Sequence, residues 1–114
     1  MPESQVQRKS FAFSLQIIRL YQELQHKYEF VISRQLLRCG TSIGANIEEA
    51  TAAQSRRDFL AKMAIAGKEA RETRYWLRLL QESQLVSIDV SAELAAVNEL
   101  VRMLTAIVKT TATT

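Results

Sequence analysis

The chain has 114 residues, 47% hydrophobic and 24% charged, with a net charge of +3. That length supports one domain around one core, so 1–114 reads as a single unit. No long apolar run is present, and the start MPESQVQRKS lacks the hydrophobic stretch of a secretory signal, so membrane insertion and export are not indicated and a cytoplasmic location is the expectation.

Only three Gly and one Pro occur, the Pro at position 2, so helical periodicity runs almost unbroken from Ser4 to Lys109. The first helix is predicted from Val6 to Lys27. Phe13, Ile17, Leu20, Leu24 and Tyr28 form its main stripe, widened by Phe11, Leu15 and Ile18. So broad an apolar arc implies more than one neighbour. The second helix is predicted from Ser33 to Ala53, with Ile32, Leu36, Cys39, Ile43, Ile47 and Ala50 on one face. Gly40 and Gly44, four apart on one shoulder, would let another backbone approach closely. The opposite shoulder is polar: Gln35, Arg38, Ser42, Asn46 and Glu49. Ordered polar groups beside an apolar stripe point to hydrogen bonds across a packed contact, where an unpaired group costs roughly 1–3 kcal/mol.

Ser55 is placed to cap a third helix, with Asp58 three residues on favouring its positive end. That helix is predicted to reach Gln81 and to bury Phe59, Met63, Ala66, Ala70, Leu77 and Leu80. Ser87 or Asp89 can cap the fourth, whose stripe is Val90, Leu94, Val97, Val101, Leu104 and Ile107 or Val108; the tail TTATT is expected to fray. Four amphipathic segments with short connections hide their stripes most simply in an all-α, antiparallel up-and-down four-helix bundle.

Catalytic and metal chemistry find little support. Glu23-Leu24-Gln25-His26 has the spacing of one half of a carboxylate-bridged metal site, but His26 is the sole histidine and both side chains point away from the apolar arc. Any catalytic triad would need that same histidine. Phosphate-binding glycine loops are absent, and Cys39 stands alone on the apolar face, as a buried structural thiol would. The reading is of a protein that is not an enzyme and carries no metal or cofactor.

Charge is uneven along the chain. Nine Lys or Arg face five acids between Arg34 and Arg78, against two and three between Ser87 and Lys109. On the third helix Arg57, Lys68, Arg71, Arg74 and Arg78 share an arc of roughly 100°, with Tyr75 among them. Such a stripe can replace counterions along a nucleic acid while Tyr75 stacks on an unpaired base. The alternative is a solvated face paired with acids such as Glu69 and Glu72. Trp76 lies off the core stripe with Ile65 and Leu79, either as a core side chain or as part of an exposed subunit contact.

Along these residues the chain resembles the family of the 23S ribosomal-RNA intervening-sequence protein. The family pattern Gln-x-x-Arg-x-x-x-Ser-Ile-x-x-Asn-Ile-x-Glu-Gly is matched by Gln35, Arg38, Ser42, Ile43, Asn46, Ile47 and Glu49, and the likeness continues through Ser55, Asp58, Phe59, Ile65, Ala66 and Glu72. It departs at Ala50, where the family has Gly, and at Lys68-Glu69, where it has Gly-Ser. The resemblance implies a non-enzymatic bacterial bundle that forms a homopentameric ring and associates with RNA. The stretch from Ala70 to Leu80 is also similar to the accessory protein of diversity-generating retroelements, which would add DNA or RNA and a reverse transcriptase as partners. In both settings Glu72 and Trp76 join the polar shoulder as candidate interface residues.

Overall fold

The computed structural model describes residues 3–113 and contains four helices: α1, Gln5–His26; α2, Ile32–Thr51; α3, Arg56–Ser83; and α4, Ser91–Thr113. α1 packs on α2 and α4, and α3 packs on the same two, while the backbones of the diagonal pairs make no close approach. This is the square, up-and-down arrangement. Its extents are 45 × 23 × 20 Å. No helix among the described residues is long and apolar enough to cross a membrane.

Each helix starts where the chain supplies acceptors for its free amides. Ser4 and Gln7 cap α1 reciprocally, Ser4 Oγ accepting from the Gln7 amide at 3.2 Å and Gln7 Oε1 from the Ser4 amide at 2.8 Å. Ser55 Oγ accepts from the Asp58 amide at 3.0 Å, as its position in the sequence implies. At the last helix it is Asp89 and not Ser87 that acts, its carboxylate accepting from the Ser91 amide at 3.0 Å. Gln81 Oε1, from the end of α3, takes the Val90 amide at 2.7 Å.

The start of α2 is built by a residue the periodicity does not mark. Glu29 is buried in the α1–α2 turn, and its carboxylate accepts from the amides of Val31, Ile32 and Ser33 at 3.0, 3.0 and 2.6 Å. Three orphan donors of the helix end are met by one side chain. Tyr28, expected to extend the α1 stripe, instead reverses the chain at φ 61° and is 83% exposed. The helix has ended before it, so its side chain no longer follows the stripe.

The core follows the predicted stripes with local changes. Phe13, Ile17, Leu24, Leu36, Cys39, Ile43, Ile47, Leu77, Leu80, Val97 and Leu104 are buried. Leu100 joins them, whereas Phe59, Leu94 and Val101 remain only partly covered. Gly40 and Gly44 do serve a close approach, against Ile17 and against Ser10 and Ser14 of α1. The helix continues to Thr113, with Thr111 and Thr113 donating to the carbonyls of Ile107 and Lys109 and Arg56 at the start of α3 donating to the Thr111 carbonyl. Thr114 lies outside the described residues.

Candidate nucleic-acid interface

α3 has three sides, set by its neighbours. Beside the buried stripe from Met63 to Leu80, Lys62, Glu69, Glu72 and Trp76 turn toward α2, Gly67 and Arg74 turn toward α4, and the exposed residues between them face outward. The sequence-predicted residues divide between the first side and the other two.

Along α2, the polar shoulder lies against α3. Arg38 is its centre, with Nη2 donating to Gln35 Oε1 at 3.0 Å and to Glu72 Oε2, while Nη1 stands 3.7 Å from Glu69 Oε2. Trp76 Nε1 donates to the same Glu72 oxygen at 3.0 Å. The Trp76 hydrogen bond and the contact with Arg38 hold the Glu72 carboxyl below its ordinary range, while partial burial opposes them. Glu69 Oε2 is buried and accepts no hydrogen bond, so the guanidinium of Arg38 is its compensating charge.

The remaining shoulder residues do not join this cluster. Asn46 Nδ2 donates to the Ser42 carbonyl at 2.9 Å, within α2. Glu49 meets Lys62 of α3 at 2.9 Å. One polar row in sequence thus resolves into three local groups, because short side chains such as Ser42 and Asn46 reach their own helix before a neighbour. Lys62 and Glu69 carry no periodic signal that distinguishes them from solvated charges.

The basic residues spread over the outward and α4-facing sides. Arg57, Lys68, Arg71 and Arg78 are exposed, and Tyr75 is 57% exposed with its ring edge-on to Trp76 at 5.4 Å. Arg78 Nε donates to Glu82 at 3.3 Å, and the half-buried Arg74 donates to Asn98 of α4 at 3.4 Å. Arg57, Lys68 and Arg71 form no ion pair among the described residues. Lys109 of α4, not among the sequence-derived candidates, lines a shallow groove with Gly67, Arg71, Leu104 and Thr105. Its place there depends on how α4 lies against α3, which local sequence does not encode. No group of three or more potential metal-ligating residues occurs among the described residues.

A crystal structure of a protein of unknown function from the S23 ribosomal protein family of Bacteroides thetaiotaomicron is similar, with a TM-score of 0.86 and 45% identity over 91% of this chain and 98% of that one. No curated protein matches significantly. The model of the 23S rRNA-intervening sequence protein family matches residues 2–106, nearly the full length of the bundle. The chain belongs to the 23S rRNA-intervening sequence protein family.

Proposed function

We propose that this protein is a non-enzymatic, cytoplasmic, homo-oligomeric bundle that associates with RNA through the outward and α4-facing sides of α3. The observation that carries the reading is the exposed set Arg57, Lys68 and Arg71, unmatched by ion pairs, with Lys109 across the groove from Arg71. Cations held on rigid helices displace condensed counterions when they meet phosphates, and an exposed tyrosine adds a stacking surface. A closed ring, five-membered by family resemblance, would repeat this modest surface and raise its avidity through effective concentration.

The test is binding of a fluorescent RNA across a salt series, with DNA of the same sequence as competitor. Affinity falls steeply with salt, and the K68E/R71E/R78E variant lowers both the affinity and the salt slope, the slope by about 2 per engaged copy. Unchanged binding in that variant removes α3 from the interface. Capture of a reverse transcriptase that survives nuclease treatment would instead favour the retroelement accessory role.

A further inference from the structure

We infer that the groove between α3 and α4 over Gly67 holds one unpaired nucleotide of the RNA, its phosphate between Arg71 and Lys109 and its base on the apolar floor. The inference rests on the RNA reading above and names the form of RNA that this surface takes.

Gly67 is a glycine that packing does not explain. Glycine weakens a helix interior relative to alanine, so its presence there calls for a reason in what a side chain would strike. At Gly40 the reason is Ile17, 3.0 Å from an added Cβ. At Gly67 an added Cβ meets Arg71 Nη1 at 3.6 Å and Leu104 Cβ at 3.8 Å, both ordinary contacts. What the missing side chain does is deepen a groove of about 270 Å³ between the two helices.

Two cations converge on that groove from opposite directions. The pairs Gln81–Val90, Arg74–Asn98 and Gly67–Leu104 show that α3 and α4 run antiparallel. Side chains on a helix lean toward its own N-terminus, so side chains on these two lean in opposite senses. Arg71 leans back one turn and brings Nη1 over Gly67. Lys109 leans back toward Thr105, which the Gly67–Leu104 contact sets at nearly the same height. Neither cation has an ion pair among the described residues, and no acid lines the groove. Two like charges aimed at one place repel until an anion sits between them. A phosphate does so while accepting charge-assisted hydrogen bonds from both.

The rest of the lining separates an unpaired strand from a duplex. Ala64, Leu104 and Val108 offer apolar surface beside the cations. Thr105 Oγ1 gives its proton to the Val101 carbonyl at 2.7 Å, so toward the groove it is an acceptor. That suits a ribose hydroxyl or a base amino group, not a second anion. The volume lies just below the roughly 300–1,000 Å³ of sites that enclose a drug-sized ligand, which limits the occupant to one nucleotide. A duplex keeps its bases stacked inside, so it can bring a phosphate to Arg71 and Lys109 but leaves the floor empty. A single strand can turn a base onto the floor while its phosphate stays between the cations.

The test is fluorescence anisotropy with a labelled mixed-sequence RNA, either single-stranded or annealed to its complement. Wild type is expected to prefer the single strand by about 10-fold. K109Q, an exposed position on α4, should lower single-strand affinity by about 3–10-fold and the salt slope by about 0.7 per engaged copy. R71Q/K109Q should lose little more than either change alone, because both side chains hold one phosphate. A64M fills the floor from an exposed position without changing charge, and should abolish the single-strand preference while duplex affinity and the helical spectrum stay as in wild type. R102Q, which removes an exposed cation outside the groove, should keep the preference. Equal affinity for the two forms of RNA, or single-strand binding untouched by K109Q, would overturn the groove site; continued weakening by K68E/R71E/R78E would then leave the α3 reading standing. Binding of AMP that K109Q abolishes, with RNA affinity unchanged, would make this a site for a free nucleotide and equally overturn the inference. A wild-type chain that binds neither RNA would overturn both.

Discussion

A methyl group placed on Gly40 would lie 3.0 Å from both Cγ1 and Cγ2 of Ile17, a buried, β-branched side chain on the facing helix. Ile17 has little rotamer freedom to yield. The G40A substitution is therefore expected to destabilise the fold by about 1–3 kcal/mol despite the better helix propensity of alanine. Gly67 is the contrast, since its added methyl would meet only the end of Arg71 at 3.6 Å and Leu104 Cβ at 3.8 Å. G67A should stabilise by about 0.5–1 kcal/mol. Urea unfolding at one fixed protein concentration would measure both, and equal effects would contradict the close packing of Gly40 on Ile17.

Glu29 satisfies three amides of α2 with one carboxylate from inside the α1–α2 turn. E29A should cost about 1–3 kcal/mol, because those donors are left partly buried without acceptors. The exposed neighbour Lys27 provides the control, with K27A expected within about 0.5 kcal/mol of wild type. Matching denaturation midpoints for the two variants would show that the carboxylate is not the cap.

Acid should weaken the α2–α3 seam through Glu72. Its carboxyl is held below the ordinary value of 4.5, first by the Trp76 indole N–H and then by Arg38. A depressed folded pKa adds stability that is present above the unfolded value and lost as pH falls through the folded one. Glu93 is shifted in the opposite direction by burial, so the comparison must be made in a single substitution. The gap in melting temperature between wild type and E72Q is expected to be widest above pH 4.5 and to close on acidification. A gap that stays constant across that range would detach Glu72 from the effect.

Cys39 lies within the core, and burial raises its thiol pKa. A thiol reagent at mildly alkaline pH should modify the native protein at least about 100-fold more slowly than free cysteine, since reaction requires opening of the bundle. The rate should rise with urea in parallel with unfolding. Rapid modification of the folded chain would place the sulfur at the surface.

Much of this molecule is written in local periodicity. The stripes Phe13–Ile17–Leu24 and Ile43–Ile47, the Ser55 cap and the small residues Gly40 and Gly44 define helices and buried faces without reference to any partner. A helical stripe states which side is apolar, and four such sides have few ways to meet. Tertiary structure alone decided what each shoulder touched: Arg38 found Glu72 and Glu69, Glu49 found Lys62, while Ser42 and Asn46 turned to their own helix. It also brought Lys109 beside Arg71 and left Phe11, Leu15 and Ile18 bare. Those outcomes depend on the order and hand in which the helices are arranged, and that information is carried by contacts between residues far apart in the chain, not by the spacing within any one helix.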